Sequence, residues 1–180
     1  MQRVAPAAVS FAVKRPLKSY HAVITVPFGL VGIRMCGEAL AAVDLKPSLK
    51  CAAAPSTAAA RNAASILQRY FENPAFTPSI KLDPSGTPFQ RRVWRALRKI
   101  RPGTTITYGA LAQKLGTSAR AVGGACRENP LPIVVPCHRV VAAGSAGGFM
   151  GDSRGRALEI KSWLLCHEAR ITSGGRDQEK

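Results

Sequence analysis

The period of the hydrophobic pattern changes along this chain, and that change limits the folds open to it. In "HAVITVPFGLVGIRM" apolar residues alternate on both sides of Pro27-Phe28-Gly29, which predicts a β-hairpin, and "ALAAVDL" fits a third strand. From Ser56 onward the apolar residues follow helical spacing instead. The sequence therefore predicts an α/β (α+β) fold that begins with a small hairpin-and-helix unit.

Breaks in this pattern divide the chain into four parts. Residues 1–19 contain basic but no acidic residues and are predicted to form a flexible tail, with an organelle transit peptide as the alternative. Residues 20–85 are predicted to be a supporting N-terminal domain that ends in a proline-broken linker at 73–85. Residues 86–171 then form a mainly helical C-terminal domain, and 172–180 a second flexible tail.

The charge balance favours a polyanionic partner. The chain has 26 Lys and Arg residues against 10 Asp and Glu, a net charge of +16. Such an excess repels itself, whereas release of condensed counterions makes contact with phosphates favourable. Nucleic acid is therefore the leading partner, with an anionic membrane surface as the alternative. No run approaches the roughly 18 apolar residues needed to cross a bilayer.

Cysteine usage indicates reduced thiols. The five cysteines form an odd set with irregular spacing and no CxxC pair, which is typical of a cytosolic or nuclear protein. They are Cys36, Cys51, Cys126, Cys137 and Cys166. Because the histidines are scattered, and His21 with Cys36 cannot complete a tetrahedral site, we expect no structural zinc.

A helix with a dense basic face is predicted after residue 86. In "TPFQRRVWRALRKI" Thr87 is a natural N-cap, Pro88 fits the first helical position and Gln90 completes a capping box. Beside the apolar stripe, the helix carries Arg91, Arg92, Arg95, Arg98 and Lys99. A solvated face and contact with phosphates are both open interpretations.

The segment "TYGALAQKLGTSARAVGGACREN" fits a helix-turn-helix. Thr107 caps a first helix, Gly116 ends it, and Thr117 or Ser118 caps a second one. Such hairpins are common and most bind no DNA, so this pattern alone does not establish DNA binding.

Two glycines inside the second helix need an explanation. Gly123 and Gly124 should each cost about 1 kcal/mol relative to alanine. Either another helix packs closely here, or the small residues of 119–125 make a thin helix that enters the narrow, sequence-degenerate minor groove. Arg120 is the long side chain on this helix, and it would contact a phosphate or enter the base stack.

The stretch "LPIVVPCHRVV" places three ionisable groups among apolar residues. Residues 133–135 are predicted to be a buried strand that Pro136 ends, so that Cys137 lies at the strand end. A core cysteine with a capping histidine is one interpretation. The other is a reactive thiol whose pKa Arg139 and His138 would lower. His138 reaches the sulfur only if the backbone turns at Pro136, and we expect that turn.

This stretch also carries a family resemblance. "NPLPIVVPCHRVV", together with "ITYGALA", "SARAVGGACREN" and "IKSWLLCHE", closely resembles the O6-alkylguanine-DNA alkyltransferases, in which PCHRV is the acceptor-site signature. The resemblance runs from about Gly86 to Ile171 and is only general before that. It implies a ribonuclease H-like N-terminal domain and a winged-helix-like C-terminal domain, with a short strand bearing the reactive cysteine.

The resemblance implies a catalytic set. Cys137 would take an alkyl group from O6 of guanine, or O4 of thymine, and would act once because a thioether cannot be hydrolysed. His138 would withdraw the thiol proton through a water, and Glu168 would stabilise the imidazolium. Tyr108 would donate to the flipped guanine, and Asn129 would tie the recognition helix to the reactive loop. No cofactor and no metal are implied.

The resemblance also implies DNA contacts and a substrate pocket. Arg120 would replace the extruded base in the stack of double-stranded DNA containing O6-alkylguanine. The implied DNA contacts are Tyr108, Gly109, Thr117, Ser118, Ala119, Arg120 and Arg127. The implied pocket residues are Tyr108, Pro136, Val140, Phe149 and Met150. Many members have tyrosine where Phe149 stands, and "DSRGR" lengthens the following loop; we still expect adducts bulkier than methyl to be accepted.

Three other functions compete with a suicidal alkyltransferase. A non-catalytic sensor of the same fold would lack the reactive cysteine, a helix-turn-helix regulator would need a groove-reading surface, and a cysteine hydrolase would need an oxyanion hole. Without the family, Glu168 at the edge of its helical stripe would be expected to be an exposed salt-bridge partner. We expect a monomer away from membranes, located in the cytoplasm of a bacterium or the nucleus of a eukaryote.

Overall fold

A three-stranded antiparallel sheet forms the first layer of the N-terminal half. The computed structural model describes residues 20–47 and 54–173, without the side chains of 172 and 173. The strands β1 (Ala22–Val26), β2 (Gly29–Cys36) and β3 (Ala39–Asp44) lie in the order β1-β2-β3. The hairpin and the third strand are therefore confirmed. The tail predicted at 1–19, Cys51, and 174–180 of the second tail lie outside the described residues.

A tight turn sets the register of the hairpin. Val26 pairs with Gly29, so only Pro27 and Phe28 join the two strands. Gly29 has a φ of +126°, a backbone conformation that residues with a Cβ rarely adopt. Ile24 and Val31 then face each other from the buried side, which is the alternation seen in the sequence.

The helix α1 (Ala58–Glu72) covers the buried face of this sheet. It packs against β1 and β2 and begins at Thr57, whose side chain accepts a hydrogen bond from the backbone N–H of Ala60. Its buried stripe is mostly alanine and ends in Leu67 and Tyr70. The small alanines allow the helix to lie close to the sheet.

The segment 73–85, predicted to be a linker, also takes part in the sheet. Leu82 forms a parallel bridge to Leu40 on β3, through the bonds Leu40 N–H to Lys81 O (2.8 Å) and Asp83 N–H to Leu40 O (3.0 Å). These bonds cover the free edge of β3.

The C-terminal half is built from short helices. They are α2 (Pro88–Leu97), α3 (Tyr108–Lys114), α4 (Ala119–Arg127) and α5 (Arg156–Ser173), with a 3-10 helix at Cys137–Arg139. The two-residue strands β4 (Ile106–Thr107) and β5 (Val140–Val141) pair in parallel. This mixed fold, with a helix-turn-helix of α3 and α4, agrees with the predicted class. None of the described helices is long and apolar enough to cross a bilayer.

The predicted helix caps are present. Thr87 and Gln90 form the complete capping box of α2, and Thr107 caps α3. Gly116 adopts a φ of +59° between α3 and α4, and Ser118, rather than Thr117, caps α4.

Two details of the predicted C-terminal fold are wrong. Residues 133–135 form a turn instead of a strand, because Val135 N–H bonds to Leu131 O (2.8 Å) and Ile133 takes a φ of +76°. The cysteine therefore does not sit on a strand: Cys137 begins the 3-10 helix, and β5 follows it. Ala125, placed with the groove-facing small residues, is buried instead.

The two halves share one hydrophobic core. The backbone N–H of Val43 on β3 donates to Pro130 O (2.8 Å), which ties the sheet to the start of the reactive stretch. His167 Nε2 on α5 lies 2.8 Å from Tyr70 O on α1. Trp94 on α2 donates from Nε1 to Ala125 O on α4 (2.8 Å) and thereby links the two helices.

We predict that Trp94→Phe lowers the free energy of unfolding by about 2 kcal/mol, because Ala125 O would remain buried without its donor. Urea denaturation measures the loss. The control is Trp163→Phe, since Trp163 is only half-buried and stacks on His167. Equal losses in both variants would contradict the role given to the Trp94 hydrogen bond.

Candidate active site

The thiol of Cys137 is buried at the base of the helix-turn-helix. Pro136 turns the backbone with φ −80° and ψ 68°, and Cys137 N–H donates to Val135 O (2.8 Å), which is an inverse γ-turn. The turn expected at Pro136 is therefore present. Asn129 Nδ2 donates both to Val135 O (2.8 Å) and to Cys137 Sγ (3.2 Å). Asn129 thus joins the end of α4 to the reactive loop.

The electrostatics of Cys137 differ from the sequence expectation. Burial raises the pKa of the thiol, and the Asn129 hydrogen bond and the Lys161 charge oppose that rise only in part. Arg139, expected to supply the positive charge, is occupied by Glu168 instead. The resting thiol is therefore protonated, and its proton must be removed by a base during any reaction.

The adjacent histidine has the protonation state that such a base requires. His138 is fully buried, and its Nε2 lies 2.9 Å from Glu168 Oε1. Because a carboxylate only accepts, Nε2 carries the proton of the neutral ring and Nδ1 is left as an acceptor. Among the described residues Nδ1 has no hydrogen-bond partner. Burial lowers the pKa of His138 despite the carboxylate, so the ring is neutral at rest.

Glu168 is the centre of a buried polar cluster. It accepts from Tyr70 Oη (2.8 Å), from Arg139 Nε (2.9 Å) and Nη2 (2.8 Å), and from Gly103 N–H (3.2 Å), in addition to His138. Burial alone would raise the pKa of this carboxyl, but the hydrogen bonds from His138 and Arg139 hold it well below its usual range. The exposed position expected from the helical stripe is wrong, since Glu168 is only 1% exposed.

A cavity of about 620 Å³ leads from the surface to Cys137. Its helical side is formed by Tyr108, Arg120, Gly123, Gly124, Cys126 and Arg127. A Cβ added at Gly123 or Gly124 would meet no atom within 4 Å, so close packing within the chain does not explain these glycines. They keep the outer face of α4 thin beside the cavity, as a helix that enters a groove requires.

Tyr108 points its hydroxyl into the same cavity. The hydroxyl donates to Gly148 O (3.3 Å). Burial, followed by the nearby thiols of Cys126 and Cys137, raises the pKa of Tyr108 to about 12. The phenol is therefore neutral and able to donate a proton or a hydrogen bond.

The opposite wall of the cavity is a glycine-rich loop with several anchors. Phe149 and Asp152 exchange two backbone hydrogen bonds of 2.9 Å. The buried Lys161 donates from Nζ to Gly148 O (3.0 Å) and Val140 O (2.7 Å). The loop also reaches the N-terminal half, where Asp152 pairs with Lys46 at 2.8 Å.

Comparison with known proteins identifies the family. Residues 88–170 match the model of the 6-O-methylguanine DNA methyltransferase DNA-binding domain. The methylated-DNA–protein-cysteine methyltransferase of Methanosarcina acetivorans is 37% identical over 153 residues, which cover 81% of this chain and 96% of that protein. The chain belongs to the methylated-DNA–protein-cysteine methyltransferases.

Solved structures of the family extend the likeness to the fold. The O6-methylguanine methyltransferase of Mycobacterium tuberculosis superposes with a TM-score of 0.70 at 31% identity, covering 83% of this chain and 92% of that one. Mycobacterium tuberculosis OGT in complex with DNA gives a TM-score of 0.68 at 33% identity over the same shares. A probable methylated-DNA–protein-cysteine methyltransferase of Acanthamoeba polyphaga mimivirus is 42% identical over 116 residues, covering 62% of this chain and 74% of that one.

In this methyltransferase the structure brings most of the sequence-predicted residues together. The predicted residues at the cavity are Tyr108, Arg120, Arg127, Cys137, Phe149 and Met150. Gly109 and Ala119 are exposed on α3 and α4, and Thr117 and Ser118 form the turn between them. Pro136 and Val140, predicted as pocket residues, do not line it. Pro136 is buried in the γ-turn, and Val140 is in the core.

The sequence predicts no role for Tyr70 or Lys161 in this methyltransferase, and it predicts a different one for Arg139. Tyr70 and Arg139 donate hydrogen bonds to Glu168. Lys161 carries the positive charge that opposes the rise in the pKa of Cys137. Tyr70 fits an apolar helical stripe, which gives no sign of its carboxylate partner. A lysine next to the apolar Ile160 is the one visible signal for Lys161. Among the described residues no group of three or more His, Cys, Asp or Glu could hold a metal.

We predict that Glu168→Gln destabilises the protein by about 3 kcal/mol or more near neutral pH, because it leaves Arg139 buried without its counter-charge. The pKa of Glu168 is lowered by folding, so this stabilisation is present above its ordinary value of 4.5 and is lost as the pH falls below it. Urea denaturation of both proteins between neutral and acid pH should show the gap closing.

Glu159→Gln is the matched control, since Glu159 is exposed on the same helix. It should change the free energy of unfolding by about 0.5 kcal/mol or less. A gap between wild type and Glu168→Gln that stays constant down to acid pH would contradict the assigned electrostatics.

Proposed function

We propose that this protein repairs alkylated DNA by direct reversal, transferring an alkyl group from O6 of guanine to Cys137. The observation that carries the proposal is the arrangement around the sulfur: a buried thiol at the end of an open cavity, beside a neutral histidine held by a carboxylate. The names of its relatives agree, since they are methylated-DNA–protein-cysteine methyltransferases. Transfer from O4 of thymine belongs to the same chemistry.

The first step moves the thiol proton. A water between Sγ and His138 Nδ1 would carry it from Cys137 to the imidazole, and Glu168 stabilises the resulting imidazolium. The thiolate then attacks the alkyl carbon in line with the carbon–oxygen bond. The sulfur–carbon bond forms as that bond breaks, and its electron pair stays with the guanine oxygen.

The departing guanine needs a proton to leave as a neutral base. Tyr108 is positioned for this task, because its phenol is neutral and lies at the cavity that receives the base. A hydrogen bond to the flipped guanine would replace the one that it now makes to Gly148 O. The charge that develops on the base is thereby neutralised as the bond breaks.

DNA reaches this cavity along the recognition helix α4. The thin face at Gly123 and Gly124 fits the minor groove, whose limited sequence code suits a protein that must act at any site. Arg120 is exposed at the mouth of the cavity and is available to occupy the space of an extruded base. Extrusion is needed because the alkylated oxygen lies inside the duplex, out of reach of a buried thiol.

The product limits each molecule to one reaction. S-alkylcysteine is an unactivated thioether with no carbonyl for water to attack, unlike the thioester of a cysteine hydrolase. A non-catalytic sensor would need none of the groups that act on the thiol proton. We also propose that the protein acts as a monomer, a proposal supported by the presence of acceptor, base and carboxylate within one chain. It works where the chromosome lies, in the bacterial cytoplasm or the eukaryotic nucleus.

Incubation with an oligonucleotide that carries O6-methylguanine should add one methylene mass per molecule, at Cys137. Intact-protein mass spectrometry with peptide mapping measures it. Cys137→Ser should abolish the gain, whereas Cys126→Ser, which alters the second thiol of the cavity, should retain it. Repeated turnovers, or a label at Cys126 or Cys166, would refute the proposal.

Arg120→Ala should slow repair of duplex DNA by about tenfold or more, because base extrusion costs a few kcal/mol that the arginine helps to offset. Transfer from the free base O6-benzylguanine should change little. Single-turnover kinetics with both substrates test this. The control Arg98→Ala removes an exposed charge at the C-terminal cap of α2, away from the cavity. Equal losses on duplex and free base would remove Arg120 from the flipping role.

A further inference from the structure

A second cavity, which we call the α2–α3 cleft, opens beside β4. Its volume is about 570 Å³, within the range of ligand-binding sites, and it shares no lining residue with the cavity of Cys137. Its floor is apolar and consists of Ala96, Ile100, Ile106, Leu111 and Leu115. All of these except Leu111 remain partly exposed to solvent.

The rim of the cleft has one sign of charge. Lys99, Arg101 and Lys114 surround the floor, and all three are exposed. Thr104 and Thr105 add hydroxyl groups, and no carboxylate lines the cleft. An occupant that complements these walls must carry negative charges at its edges and an apolar group at its centre.

The wall of the cleft is held in place by the active site. Ile100 O accepts a hydrogen bond from Arg139 Nη1, and Gly103 N–H donates to Glu168 Oε2 (3.2 Å). Thr104 Oγ1 also bonds to Arg101 O (2.8 Å). Because the buried Arg139–Glu168 pair anchors this loop, the cleft is formed before any ligand arrives. Such preorganisation lowers the entropic cost of binding.

We propose that the α2–α3 cleft is a docking site for an acidic segment of a partner protein, with an apolar residue as its anchor. Carboxylates of the segment would pair with Lys99, Arg101 and Lys114, while the anchor fills the apolar floor. DNA fits this cleft less well, because its outer surface offers phosphates but no apolar group. The recognition helix α4 contributes no residue to the cleft, so a partner can bind while the duplex is held.

The test uses a fluorescein-labelled, aspartate-rich peptide that ends in leucine and phenylalanine. Fluorescence anisotropy at physiological salt should give a Kd on the order of micromolar. Replacing the two apolar residues of the peptide by serine should weaken binding by about tenfold or more, because the floor would lose its ligand. This comparison separates docking in the cleft from general attraction to a basic protein.

Two matched variants of the protein locate the site. Lys99→Glu reverses a charge at the rim and should weaken peptide binding by about tenfold. Arg95→Glu reverses an exposed charge on α2, four residues before Lys99 and outside the cleft, and it should change the Kd by about twofold or less. Both changes lie on the surface, so thermal unfolding should be little affected.

Three outcomes would overturn the proposal. The first is equal binding of the apolar and serine peptides, and the second is equal losses in Lys99→Glu and Arg95→Glu. The third is a Lys99→Glu variant that keeps its affinity for the peptide but loses affinity for undamaged duplex DNA, which would assign the cleft to nucleic acid. None of these measurements depends on alkyl transfer to Cys137, so they test the cleft independently of the proposed function.

Discussion

The buried carboxylate of Glu168 is the interaction on which the rest of this structure depends. An isolated charge in such a place would be prohibitive, and it is tolerated because five donors from different parts of the chain surround it. These donors come from α1, from the loop after α2 and from the 3-10 helix of the reactive stretch. One side chain thus holds α1, the loop after α2 and His138 together.

The same arrangement accounts for a thiol that is protonated and unreactive at rest. Burial raises the pKa of Cys137, and two cations of the site are held by other acceptors: Arg139 by Glu168, and Lys161 by Val140 O and Gly148 O. A neutral thiol resists oxidation and unwanted alkylation better than a thiolate. In the proposed mechanism activation then depends on His138, whose ring is oriented by the carboxylate. For a protein that reacts once, a protonated thiol at rest keeps Cys137 from being consumed by oxidation or unwanted alkylation.

The N-terminal half contributes to the site through specific contacts rather than through bulk alone. Tyr70 on α1 bonds Glu168, Val43 on β3 bonds the start of the reactive stretch, and Lys46 reaches the loop that forms the cavity wall. Asp152, in the loop that contains "DSRGR", makes the last of these contacts. The N-terminal half resembles the family only weakly in sequence, yet it contacts the residues around Cys137 directly.

Local features were determined by the sequence alone, because they depend on residues that are neighbours along the chain. The hairpin around Pro27, the capping box of Thr87 and the turn at Pro136 follow from backbone preferences and short-range hydrogen bonds. The reactive pair Cys137-His138 was visible for the same reason. The family resemblance added their roles.

Tertiary structure decided what depends on distant residues. Tyr70 and Glu168 are 98 positions apart, and no local pattern predicts that a residue at the edge of a helical stripe becomes the buried centre of a cluster. The expected strand at 133–135 became a turn because Asn129 bonds both ends of it, through Leu131 N–H and Val135 O. β-branched residues favour a strand only where a partner strand is available. Here the Asn129 side chain makes hydrogen bonds with the backbone that a partner strand would otherwise make. The sequence determined which groups could react; the packing of α1, α2 and α5 determined which of them are charged.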